Sequence, residues 1–131
     1  MKKAITRISG IILAITVVMS SAFAYDYSGR FTKYCSYSIT VSGAMSAVSG
    51  QGMTQASKPS SSSAGTTYVS VSAYCSSGAR SYNSNSGYSG DITTRATAPG
   101  SGTPTYAVCA SSCYNSSGKA VNLCNCTVGA A

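Results

Sequence analysis

Six cysteines, Cys35, Cys75, Cys109, Cys113, Cys124 and Cys126, are the residues of this chain best suited to covalent chemistry, and no histidine accompanies them. An even number of thiols in a short chain points to a disulfide framework built in an oxidising compartment. The rival chemistry for a C-x-x-x-C spacing followed by C-x-C is a four-thiolate metal centre. Sites of that kind usually recruit imidazole as well, so neither a metal nor any other cofactor is expected. No C-x-x-C pair occurs, which argues against a redox-active dithiol.

Acid/base catalysis near neutral pH leans on His, Glu or Asp, and the acids of this chain are Asp26 and Asp91 alone. Two carboxylates of a glycosidase would have to stand at a fixed separation, and Asp26 falls beside the expected N-terminus of the mature chain. The many serines have no imidazole partner and no G-x-S-x-G elbow. Gly50-Gln51-Gly52 lacks the lysine and helix of a phosphate cradle. The sequence therefore predicts a protein without enzymatic activity and nominates no catalytic residue.

Tyrosine is the abundant recognition residue, with ten copies and no tryptophan. Rigid amphipathic rings among Ser, Gly and Asn are the chemistry of binding surfaces, and tyrosine also stacks on sugar rings. The candidate binding residues are Tyr68, Tyr74, Tyr82 and Tyr114, with Arg80, Arg95 and Lys119 as cations. Basic residues are scattered singly, which argues against a nucleic-acid stripe. A diffuse positive charge favours an anionic cell surface, a membrane, a wall polymer or a glycan.

The elements that must carry these groups read as β-strands. From Cys35 the odd positions run Cys35, Tyr37, Ile39, Val41, Gly43, Met45 and Ala47, while Ser36, Ser38, Thr40 and Ser42 alternate with them. Over residues 67–75, Val69, Val71, Ala73 and Cys75 share one face and Tyr68, Ser70, Ser72 and Tyr74 the other. Such a period of two is the mark of a strand with one buried side. Further strands are expected over residues 79–83, 91–98, 105–113 and 119–128. Turn clusters punctuate them at Ser49-Gly50-Gln51-Gly52, Ser76-Ser77-Gly78, Asn85-Ser86-Gly87, Pro99-Gly100-Ser101-Gly102 and Asn115-Ser116-Ser117-Gly118. Helical periodicity is absent beyond the first two dozen residues. The expected fold is all-β: a small antiparallel β-sandwich or partly open barrel of about six or seven strands, stabilised by disulfides. Residues 57–67 (SKPSSSSAGTT) look too polar to pack and are expected to form a flexible Ser-rich loop. The stretches from Ser81 to Gly87 and from Cys113 to Gly118 echo one another in their Tyr-Asn-Ser content.

Strand parity suggests a pairing for the cysteines. Cys35 and Cys75 fall on apolar faces and would bridge the core. Cys109 and Cys113, and likewise Cys124 and Cys126, share a face of the last two strands, so Cys109–Cys126 and Cys113–Cys124 are expected, with a bulge to absorb the register offset.

The first 24 residues have the three parts of a bacterial-type secretory signal. Lys2, Lys3 and Arg7 precede the apolar run from Ile11 to Val18, and Ala22-Phe23-Ala24 supplies a cleavage site. Residues 25–131 would then form a single exported domain, with a net charge reduced from +7 to +4. The expected role is that of a secreted, cationic, non-enzymatic protein acting at a cell surface, antibacterial in the manner of a bacteriocin. The alternatives are a carbohydrate- or protein-binding module, or an extracellular matrix component that self-associates through edge strands.

Overall fold

The computed structural model of the protein describes residues 25–26 and 29–130. The expected signal over residues 1–24 lies outside them. Among the described residues nine strands follow one another: β1 (Tyr25–Asp26), β2 (Arg30–Tyr34), β3 (Thr40–Met45), β4 (Gln51–Lys58), β5 (Thr67–Cys75), β6 (Arg80–Gly87), β7 (Gly90–Thr97), β8 (Pro104–Tyr114) and β9 (Ala120–Gly129). They form two sheets, sheet A in the order β1-β9-β8-β5-β6 and sheet B in the order β2-β3-β4-β7. Every pairing is antiparallel except that of the two-residue β1 with β9. The expected all-β sandwich is the fold observed, and it is open. Among the described residues no helix is long and apolar enough to cross a membrane.

The strand number exceeds the expected six or seven because β1, β2 and β4 are weakly patterned. In β4 the inward positions are Gly52, Thr54, Ala56 and Lys58, and only one of these is conventionally apolar with a side chain. The turn expected to span Ser49 to Gly52 is tighter, and β4 begins at Gln51. Gly50 makes that possible with a φ of 73°, a conformation that costs glycine little.

Burial follows strand parity. Ile39, Val41 and Met45 of sheet B and its approach face Val69, Val71 and Ala73 of sheet A, with Ala107, Cys109 and Val128 completing the core. The residues are small, so the sheets approach closely. A Cβ added at Gly52 would stand 2.9 Å from the Ala107 Cβ, and one at Gly43 would stand 2.6 Å from Cys109 Sγ. Across this thin core Thr54 Oγ1 donates to the Ser70 carbonyl of the opposite sheet at 2.8 Å.

Two seams close the sandwich differently. At one, the disulfide Cys35–Cys124 ties the end of β2 to β9 across the sheets, with a sequence separation of 89. A cross-link over a loop of that length stabilises the fold by about 4 to 5 kcal/mol on a chain-entropy basis. At the other, β6 and β7 meet as sheet edges. Asn83 Nδ2 donates to the Arg95 carbonyl at 2.9 Å, and Asn85 Nδ2 donates to the Thr93 carbonyl at 3.0 Å.

The observed disulfide overturns the expected Cys35–Cys75 and Cys113–Cys124 pairs, and Cys109 and Cys126 face each other in the ladder without the expected bond between them. Cys35 does not continue the alternation of β3. A single 3-10 turn, Ser36–Ser38, intervenes, with Tyr37 and Ser38 at φ of 60° and 61°, and it turns Cys35 away from the parity of Val41. Cys75 lies on β5, two strands from β9. In the β8–β9 ladder a bulge between Ser111 and Ser112 sets Cys124 opposite Ser111 and Cys113 opposite Val121, so Cys113 and Cys124 are out of register.

The Ser-rich segment after β4 also packs more than its composition suggested. Ala64 is buried, Gly65 N donates to the Tyr114 carbonyl and Tyr114 N to that of Thr66.

Candidate functional site

Parity places one set of tyrosines on the outer face of sheet A. Tyr68 and Tyr74 stand six residues apart on β5, a span of about 20 Å along an extended strand. Each has a ring partner from β8. Tyr68 meets Tyr114 edge to face, with centroids 5.8 Å apart, and Tyr74 stacks on Tyr106 at 4.5 Å and 14°. Cross-strand pairing explains the second contact, since Tyr74 and Tyr106 are register partners. Tyr106 was not among the sequence candidates. Its even position on β8, opposite in parity to Cys109, is the signal that finds it.

Arg80 and Tyr82 extend the Tyr74 end of this face. The Arg80 guanidinium lies 5.6 Å from the Tyr82 ring centroid and donates from Nη1 to Ser72 Oγ at 2.9 Å. Tyr82 is 58% exposed. Between the two tyrosine ends β5 and β6 present Ser70, Ser72 and Ser84, and β8 presents Val108 and Ala110. At the other end an open depression of about 300 Å³ is lined by Tyr68, Ser112, Cys113, Tyr114 and Ala120.

The structure thus brings Tyr68, Tyr74, Tyr82, Tyr114 and Arg80 onto one face. Lys119 is exposed in the turn that follows Tyr114. Arg95 does not join them: it is exposed on β7, opposite Met53 in sheet B. The cations therefore sit on both sheets and do not make one patch.

Lys58 is withdrawn from the surface altogether. It is 6% exposed, and Nζ donates to the Gly65 carbonyl at 2.9 Å and the Tyr88 carbonyl at 2.6 Å, while lying 4.4 Å from the Tyr88 ring centroid. Carbonyl dipoles and the ring face together replace water around the ammonium.

The thiols differ sharply in environment. Cys75 Sγ lies 3.1 Å from Ser77 Oγ and 3.5 Å from Ser101 Oγ, and these hydroxyls lower its pKa from the ordinary 9.0. Burial pushes the Cys109 thiol up to about 12. Burial raises Cys113 too, and the charge of Lys58 partly offsets it. The Ser77 and Ser101 hydroxyls thus favour the thiolate of Cys75. The spacing S-x-x-K occurs at Ser116 to Lys119, and these residues are exposed in the β8–β9 turn. Among the described residues no group of three or more His, Cys, Asp or Glu is placed to hold a metal ion.

The two echoing Tyr-Asn-Ser stretches have different roles. In the first, Asn83 and Asn85 lie on β6 and reach β7. In the second, Asn115 Oδ1 accepts from the backbone N–H groups of Ser117 and Lys119 and organises a turn.

The chain matches no protein-family model, no curated protein and no solved structure.

Proposed function

We propose that this chain is a secreted, non-enzymatic binding module acting at a cell surface, and that its ligand is a surface polysaccharide laid along the outer face of sheet A. The observation that carries this reading is the set of tyrosines at the two ends of that face, separated by a floor of short side chains, serines on β5 and β6 with Val108 and Ala110 on β8. A polysaccharide offers repeated apolar C–H faces and hydroxyls. The exposed rings suit the former, and the serine hydroxyls and Arg80 suit the latter. The separation of the two ends favours an extended polymer over a single sugar. A purely cationic mode of attack is less well supported, because Lys58 is buried and Arg95 points from the other sheet.

Binding to insoluble bacterial cell-wall polysaccharide, measured by depletion from solution, tests the proposal. Tyr68→Ala with Tyr82→Ala should weaken binding by about fivefold or more, as two lost aromatic contacts at about 0.5–1.5 kcal/mol each would give. Arg95→Ala on the opposite sheet should leave it unchanged. Equal retention of all three proteins, or no binding by the unaltered chain to any wall or capsular polysaccharide, would refute it.

A further inference from the structure

We infer that the mature protein carries a second disulfide, Cys109–Cys126, within sheet A, and that its remaining two thiols, Cys75 and Cys113, stay unbridged within the chain. Cys109 and Cys126 are direct register partners on the antiparallel strands β8 and β9. Opposed residues in such a ladder have Cα atoms about 4.5–5.5 Å apart, inside the range of about 4.4–6.8 Å that a disulfide spans. Both side chains point into the core, with Cys109 0% and Cys126 3% exposed. In the structure their sulfurs are not joined: Cys109 Sγ donates to the Met53 carbonyl at 3.5 Å and Cys126 Sγ to the Thr127 carbonyl at 3.7 Å, so the bond forms by turning both side chains towards each other. The facing sheet makes room at this point: Gly43 presents no side chain where a Cβ would crowd Cys109 Sγ. No other pair among Cys75, Cys109, Cys113 and Cys126 is so placed. Cys113 is opposite Thr67, at the start of β5, and Cys75 ends the same strand. Eight residues of extended strand, about 26 Å, separate those two positions.

The two bridges divide the work of anchoring β9. Cys124 reaches across to the end of β2 in sheet B, and Cys126, two residues on, reaches sideways to β8. Together they link three strands at the seam where β9 would otherwise be held by its ladder to β8 and by the two residues of β1.

The bridge forms by thiol–disulfide exchange with an external disulfide, such as that of a folding oxidoreductase or of oxidised glutathione. The thiolate of one cysteine attacks a sulfur of the donor and expels a donor thiolate. The thiolate of the second attacks the resulting mixed disulfide and expels the rest of the donor. Two S–H bonds are lost and one S–S bond is formed, and the donor disulfide takes up two electrons and two protons as a dithiol. Burial of Cys109 suppresses its thiolate in the closed sandwich, so exchange precedes closure and the finished bond is shielded from reductant.

Counting thiols tests the pairing. The full chain, isolated from the oxidising compartment or refolded in a glutathione redox buffer, is denatured without reductant and alkylated with iodoacetamide, and the adducts are counted by intact mass. Six cysteines with two bridges should take two adducts. Cys109→Ser releases Cys126 and should raise the count by one, and Cys126→Ser should do the same, while Cys113→Ser should lower it by one. Four adducts on the unaltered chain, or a count that falls when Cys109 is removed, would show that no such bridge exists. A rise on removal of Cys113 would assign the bond elsewhere and equally overturn the inference.

Discussion

Thr54 and Thr94 lie directly opposite each other on β4 and β7, both facing the core, and among the described residues only one of the two hydroxyls has a hydrogen-bond partner. Thr54 Oγ1 donates to the Ser70 carbonyl across the sandwich, whereas Thr94 Oγ1 is buried with no partner among the described residues. A buried hydroxyl without a bond keeps its desolvation cost, about 1–3 kcal/mol, and a satisfied one returns a net of about 0.5–1.5 kcal/mol. The same substitution should therefore have opposite signs at the two sites. Thr94→Val should stabilise the protein by about 1 kcal/mol, and Thr54→Val should destabilise it by about the same. Equilibrium denaturation in urea, with unchanged slope, measures both.

Gly43 sets the thickness of the core at its centre. A methyl group there would clash with Phe31 Cε1 and stand 2.6 Å from Cys109 Sγ, and neither a packed ring nor a core sulfur can yield without displacing a sheet. Gly43→Ala should cost about 1–3 kcal/mol, the range for overpacking a filled core. Gly100, with nothing within 4 Å of its added Cβ and no positive φ, is the matched control. Gly100→Ala should fall within about 0.5 kcal/mol of the unaltered chain when both are compared by thermal or urea unfolding.

The sandwich was readable where apolar and polar residues alternate. Val69, Val71 and Ala73 against Ser70 and Ser72 announced β5, and the same parity put Tyr68 and Tyr74 on the outer face. The β4 strand was not readable in that way, because its inward positions are filled by Gly52, Thr54 and Lys58, which become core residues only against an equally small opposite sheet. Lys58 is the sharpest case. Nothing local marks it as buried, since the carbonyls that hold it come from Gly65 and Tyr88, well removed along the chain. The expected Cys35–Cys75 pair failed for a related reason. Parity carries no information through a break in the strand, and the turn at Ser36–Ser38 breaks it between Cys35 and Ile39.

The seam between β6 and β7 depends on side chains where a barrel would have a backbone ladder. Asn83 and Asn85 each donate one amide bond to a β7 carbonyl, and both are solvent-exposed, so water can replace part of what they contribute. Each Asn→Ala change should cost at most about 1 kcal/mol, near the middle of the range for a single hydrogen bond. The double variant should show a larger local effect than a global one. Amide hydrogen exchange along β7 should accelerate well beyond the change in overall stability, because opening of an edge needs less than full unfolding. Uniform acceleration across both sheets would show that the seam is no separate unit.

Wherever Cys109 is left unbridged, its thiol gives the protein a pH dependence whose sign is fixed by its environment. Its pKa is raised by burial from 9.0 to about 12, so between those values the unfolded chain loses a proton that the folded chain retains. Stability from this group is fully present below pH 9 and is lost as pH rises towards about 12. The group is isolated by difference. In the oxidised Cys126→Ser variant Cys109 is a thiol while Cys35–Cys124 stays intact, and in Cys109→Ser/Cys126→Ser it is gone. The single variant should lose stability more steeply above pH 9 than the double variant, as read from urea midpoints. Cys75 has the opposite sign, since its hydroxyl neighbours lower its pKa and favour the folded state as it ionises. Its alkylation in the native protein should therefore begin at lower pH than that of an ordinary thiol, and Ser77→Ala should move the onset upward. Identical alkylation profiles for the two proteins would show that Ser77 does not tune the thiol.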